Sequence, residues 1–124
     1  MTHEPAEITQ FHAHIYFDAG EVEAARDLGD RAHARFGVAV GRYHPQSVGP
    51  HPRGSCQLTV PRELFGEIGP WLALNRGRLT IFAHPCTGDE LADHTDHVIW
   101  FGPSEALKLE VFTRNRSRED VTMT

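Results

Sequence analysis

The amino-acid sequence predicts an α+β fold in which an antiparallel sheet carries two helices on one face. Two observations carry this. Apolar and polar residues alternate over residues 11–17, 55–60 and 79–84, the period of strands with one buried face. Between them, residues 22–36 and 61–75 place apolar side chains at helical spacing, so the order runs strand, helix, strand, strand, helix, strand.

Each element has a local reason. In the first strand Phe11, Ala13, Ile15 and Phe17 share one face and leave His12, His14 and Tyr16 on the other. Asp18 and Glu21 read as a capping box for the first helix, whose stripe of Val22, Ala25, Leu28, Gly29, Ala32 and Phe36 stops at Gly37. Residues 38–43 predict a second strand. Residues 44–54 hold too much Pro and Gly for regular structure and read as a long functional loop. In the third strand Cys56, Leu58 and Val60 point inward, with Ser55, Gln57 and Thr59 opposite. Pro61 suits the first position of the second helix; Leu64, Phe65, Ile68 and Leu72 form its apolar face, and Pro70 predicts a kink. The fourth strand sets Leu79, Ile81 and Ala83 against Thr80, Phe82 and His84. Residues 98–101 and 107–112 predict additional C-terminal strands around a Gly102-Pro103-Ser104 turn. Closed as a ferredoxin-like sandwich, the first strand lies between the third and fourth, gathering His12, His14, Gln57 and His84 on the uncovered face. A half-covered face of this kind favours a homodimer.

Composition narrows the function. The 124 residues, 40% hydrophobic and 23% charged, fit one domain over residues 1–124, with polar tails at 1–9 and 113–124. A formal charge of -5 without a basic run argues against nucleic-acid partners. No apolar run reaches membrane-spanning length and the N-terminus lacks a signal-peptide pattern, so a cytoplasmic location is expected, with no membrane partner. Two cysteines, Cys56 and Cys86, are too few for a disulfide framework and read as packing residues.

Histidine is the informative excess, with nine in the chain. His12 and His14, at alternate positions of a strand, project the same way and can grip one metal ion; neutral imidazole suits zinc, iron, copper or nickel. His51 and His84 are each followed by proline, which holds them in an extended backbone. The metal candidates are therefore His12, His14, His51 and His84, with Asp89, Asp93 and Asp96 as carboxylates that could complete a mixed site. His94 and His97 are candidates for general acid and base, since imidazole titrates near neutrality. Tyr16, Arg53 and Gln57 could bind substrate, Arg53 through a carboxylate.

Three spaced motifs then carry a likeness. The run from His12 to Asp18, the loop Val48-Gly49-Pro50-His51-Pro52, and His84-Pro85-Cys86-Thr87-Gly88-Asp89 continuing through Asp93-His94 to Trp100-Phe101-Gly102 resemble the DOPA 4,5-dioxygenase family across residues 10 to 103. The resemblance implies a small ferredoxin-like protein, often dimeric, that cleaves a catechol ring in the extradiol manner with O2. It implies Fe(II) as cofactor, which zinc or nickel could replace in isolated protein, held among His12, His14, His51 and His84, with proton transfer by His94 or His97. Two other readings of the residues stay open: a non-catalytic dimeric module binding a small aromatic molecule or a metal, and a zinc-dependent hydrolase.

Overall fold

Strand β1 (Gln10–Phe17) has an apolar face to bury and both edges to pair, and it takes the central position. The computed structural model, which describes residues 3–113, shows β3 (Gly54–Pro61) antiparallel to it along its whole length and β4 (Thr80–Pro85) antiparallel on its other edge. The short β2 (Ala39–Val40) flanks β3, and β5 (Ile99–Phe101) flanks β4, giving the order β2-β3-β1-β4-β5. With α1 (Val22–Phe36) and α2 (Arg62–Asn75) as crossovers, the first four strands make the expected ferredoxin-like sandwich, and β5 extends its sheet.

Both helices cover the same face. Ala25, Leu28 and Ala32 of α1 and Ile68 and Leu72 of α2 join Ala13, Ile15, Leu58, Val60, Ile81 and Ala83 in one buried cluster, as the alternation requires. Each fully buried leucine or isoleucine there contributes roughly 1.5–3 kcal/mol. Asp18 and Glu21 do form a capping box, around a 3-10 turn that leads into α1. Gly37 ends that helix at φ 72°, where a side chain would be strained, and its N–H bonds His33 O. Helix α2 continues through Pro70, which lies on the exposed side, where a carbonyl left without an N–H partner can meet water.

Three segments depart from the expected boundaries. Residues ahead of β1 are not merely a polar lead-in: Pro5–Glu7 form a 3-10 turn, and the Arg62 guanidinium binds Pro5 O and Ile8 O. The second strand is regular only at Ala39–Val40, not over 38–43. The strand expected over residues 107–112 does not form; residues 110–113 are helical, with the Phe112 and Thr113 N–H groups bonded to Leu109 O. The reason is the sheet edge. β5 already occupies the free edge of β4, and at Gly102, φ 94°, the chain turns away from the sheet. It then crosses to the loop before β3, where Lys108 N–H bonds Pro50 O, and buries Phe112. Of the expected C-terminal tail, residues 114–124 lie outside the described residues.

The face opposite the helices is covered by the chain itself. Residues 86–98, including the short α3 (Glu90–Asp93), lie over one end of it, and residues 104–113 follow. Tyr16, Phe82, His14 and His84 are buried there without a second copy. Among the described residues no helix is long and apolar enough to cross a membrane.

Candidate active site

Sheet register assembles the histidines. His12 and His14 project from the same face of β1, and His84 of β4 stands directly opposite His12. The donor atoms of His12, His14 and His84 all lie within 4.8 Å of one another, and the Nε2 atoms of His14 and His84 are 3.3 Å apart. Two nitrogens bound to one ion at ~2.1 Å, at a near-tetrahedral angle, stand ~3.4 Å apart. The backbone fixes the tautomer as well: His84 Nδ1–H donates to Pro85 O at 2.8 Å, which leaves the Nε2 lone pair for a ligand.

Electrostatics favour the same use. Burial pushes His84 down to about 4, against the raising effect of its bond to Pro85, and neighbouring imidazoles add to the lowering. Burial also holds His14 well below the ordinary histidine value and lowers His12, and other histidines contribute to both. Without an ion these rings are held by single contacts of 3.3 Å, His14 Nε2 to His84 Nε2 and Gln10 Nε2 to His12 Nε2, and each neutral imidazole keeps one ring nitrogen with a lone pair. A metal ion takes such lone pairs as ligands, so the residues present fit the group.

His51 and His94 flank this trio and differ from each other in tautomer. His51 lies against His14, ring centres 4.1 Å apart, and its Nδ1 is 2.7 Å from Tyr16 Oη. Burial raises the Tyr16 phenol, so it stays protonated, and its fully buried hydroxyl must donate. His51 Nδ1 therefore accepts and Nε2 carries the proton. In this arrangement His51 presents an N–H at Nε2, whereas His84 presents a lone pair there. Burial and the surrounding histidines lower it to about 4, so it is neutral near pH 7. His94 is the reverse: its Nδ1–H donates to Glu90 O at 2.6 Å, leaving Nε2 an acceptor. Its ring is held between His84 and Phe112, at centroid distances of 4.3 and 4.5 Å. A donor and an acceptor imidazole thus border one cavity of about 730 Å³, which the trio also lines.

The other candidates divide. Gln57 lines the cavity, and its Nε2 donates to Thr59 Oγ1. Tyr16 does not line it and reaches the site through His51. Arg53 is turned elsewhere: it holds Glu105 through two bonds of 3.0 and 2.9 Å and also pairs with Asp18 and Glu21. The fork that could grip a substrate carboxylate is occupied. His97 does not line the cavity either; its Nδ1 lies 3.0 Å from Asp93 Oδ1. Asp93 is buried and also accepts from Thr87 N and Thr87 Oγ1 at 2.9 and 2.6 Å. Burial opposes its charge, yet the Thr87 and His97 bonds hold its carboxyl below the usual range. Asp93 thus ties the loop together, while Asp89 caps α3 by accepting from Ala92 N.

Comparison with known proteins identifies the family. Residues 11–111 match the Dopa 4,5-dioxygenase family. The chain belongs to this family. A DOPA 4,5-dioxygenase of Amanita muscaria is 42% identical over 113 residues, which are 84% of this chain and 50% of that protein. An uncharacterized 21.2 kDa protein of Botryotinia fuckeliana is 33% identical, covering 88% of this chain and 66% of the other. The chain therefore spans about half to two thirds of the curated relatives it matches. The crystal structure of a proposed dioxygenase from Nostoc punctiforme superposes with a TM-score of 0.88 at 39% identity, over 91% of this chain and 98% of that one.

The stretch shared with the Dopa 4,5-dioxygenase family contains every histidine of the trio together with His51 and His94. Some lining residues escaped the sequence reading. Phe112 was assigned to a strand, and its place against His94 depends on a chain reversal that no local pattern records. Asp93 did not escape, being among the candidate carboxylates; its spacing of four residues from His97 is what brings those two side chains together.

Proposed function

We propose that this member of the Dopa 4,5-dioxygenase family is a ring-cleaving dioxygenase that opens a catechol in the extradiol manner with O2, using ferrous iron held by His12, His14 and His84. The observation that carries this reading is the trio itself: three neutral imidazoles converge on one face of a sheet, beneath a cavity large enough for an aromatic substrate. A ferrous ion at this trio would supply the redox and Lewis-acid chemistry that couples an electron-rich catechol to O2.

The chain's own residues supply the proton handling. His94 Nε2, an acceptor, suits removal of a proton from a catechol hydroxyl. His51 Nε2–H suits donation to oxygen that gains negative charge during ring opening. Tyr16 keeps His51 in the donating tautomer and Glu90 O keeps His94 in the accepting one, so each ring is oriented before substrate arrives. Phe82 and Phe112 lie against the imidazoles, with Trp100 packed on Phe82, and this apolar surface limits water access.

The test is anaerobic reconstitution with Fe(II), followed by mixing with catechols and oxygen, with a zinc-loaded blank. Oxygen uptake matching substrate loss, with a yellow semialdehyde product, is expected. His84→Ala should abolish both metal binding and turnover. His51→Ala should keep the metal but lower kcat about 100-fold, the usual scale for a lost acid or base. Iron bound without oxygen uptake across a catechol panel would overturn the reading, and hydrolysis by the zinc form would replace it with a metallohydrolase.

A further inference from the structure

A second, smaller cavity of about 250 Å³ shares His14, His51 and Gln57 with the first and adds Arg42, His44 and Ser55. No carboxylate lines it, whereas Asp89, Glu90 and Asp93 line the larger one. Arg42 is exposed and, like Arg26, Arg35, Arg76 and Arg78, forms no ion pair with any described residue; of these five it is the one that lines a cavity bordered by the histidines.

The backbone gives this arginine its direction. Val40 stands opposite Leu58, and His44 opposite Ser55, so one strand advances four residues while its partner advances three. The extra residue is a β-bulge beside Gly41, whose N–H bonds Gln57 O at 2.8 Å. Its effect follows from alternation. Val40 packs toward the helices; without the bulge, Arg42 and His44 would follow it there and Tyr43 would face out. With the bulge, Tyr43 joins the helical core while Arg42 and His44 open onto the histidine face.

We propose that Arg42, assisted by His44, forms a subsite for an anionic substituent, a carboxylate on a short tether, borne by the aromatic substrate. The inference rests on the catechol reading above and adds a requirement for charge. Distance fits. The Gly41–His44 segment lies two strand spacings, ~10 Å, from β1 and its histidines. An aromatic ring at the trio with a two- or three-carbon tether spans that gap, crossing Gln57. A planar guanidinium matches a carboxylate through paired hydrogen bonds, which an ammonium cannot reproduce.

The experiment compares dihydrocaffeate with its alcohol analogue as substrates of the iron-loaded protein. In parallel it measures binding of hydrocinnamate and hydrocinnamyl alcohol, which lack the hydroxyls to react, to the protein as purified. The acid should be preferred in both arms, and Arg42→Gln should reduce each preference about 10–100-fold, the range for a charged hydrogen-bonded pair. Arg42→Lys should restore part of it. Equal handling of acid and alcohol by the parent protein, or a preference that survives Arg42→Gln, would overturn the subsite. If neither catechol is turned over, the dioxygenase reading fails, and the inert pair still decides the role of Arg42.

Discussion

Tyr16 does not line the cavity, yet on the proposed reading it acts on the chemistry through His51. It sits on the histidine face of β1, is fully buried and spends its hydroxyl on His51 Nδ1. Tyr16→Phe removes only that donor and conserves the ring packed against Phe82 and Trp100. Stability should fall by about 1 kcal/mol, the net value of one hydrogen bond. His51 is then free to carry its proton on Nδ1, so kcat should drop about 10-fold with KM little changed. Steady-state kinetics beside a urea titration separate the two effects: a KM rise without a kcat loss would place Tyr16 in substrate binding. The same reasoning shows why His51 and His84 look alike in sequence, each followed by proline, yet differ in use. What distinguishes them is the partner of Nδ1, a phenol for one and a backbone carbonyl for the other. Pro85 directly follows His84, yet Pro52 follows His51 in the same way; the choice is made by Tyr16, 35 residues from His51, which only the fold brings to its Nδ1.

At the scale of elements, strands with regular alternation were legible and segments defined by a neighbour were not. Phe11 to Phe17 and Leu79 to Ala83 declare their buried faces, and their pairing through β1 brings His12 opposite His84 as that pattern requires. Leu107, Leu109 and Val111 alternate as well, but no free strand edge awaits them, and burial of Phe112 draws the segment into a helical turn. The bulge after Val40 was equally hidden, since it is a relation between two strands. The loop that carries His94 is held by Asp93, whose carboxylate takes three hydrogen bonds from Thr87 and His97. Asp93→Asn keeps one acceptor and loses the charge, so it should cost about 1–3 kcal/mol and lower turnover by loosening His94. Metal affinity should be retained, because the trio stands on β1 and β4. His97→Asn, which removes one bond from a half-exposed partner, should cost less than Asp93→Asn. Metal titration of both variants checks this: loss of metal from Asp93→Asn would show that the loop, and not the sheet alone, builds the ion site.

For the whole molecule, the concentration of uncharged imidazoles on one face makes acid stability a property of the site. In the unfolded chain each histidine titrates near its ordinary value of about 6.5. In the folded, metal-free chain His51 and His84 lie at about 4, through burial first and the charge of neighbouring histidines next, and His14 is also well below its ordinary value. Folded-state values lower than unfolded ones mean that below pH ~6.5 the unfolded chain takes up protons that the folded chain refuses. The stability tied to these groups is therefore complete above about pH 6.5 and is lost progressively toward pH ~4, where His51 and His84 protonate in the fold as well. Each such histidine contributes a slope of up to about 1.4 kcal/mol per pH unit, so the loss across the window is on the order of a few kcal/mol. Asp93 adds little there, because its lowered value places its own loss at more acid pH. Urea midpoints of the chelated protein should fall steadily across this window, and His51→Gln should make the fall shallower. Zinc, which binds neutral imidazole, should raise the midpoints most at neutral pH and progressively less as protons compete for the ligands. A midpoint that stays level from about pH 7 to about pH 4 would mean that these histidines titrate in the fold as they do in the unfolded chain, and the lowering by burial would no longer stand.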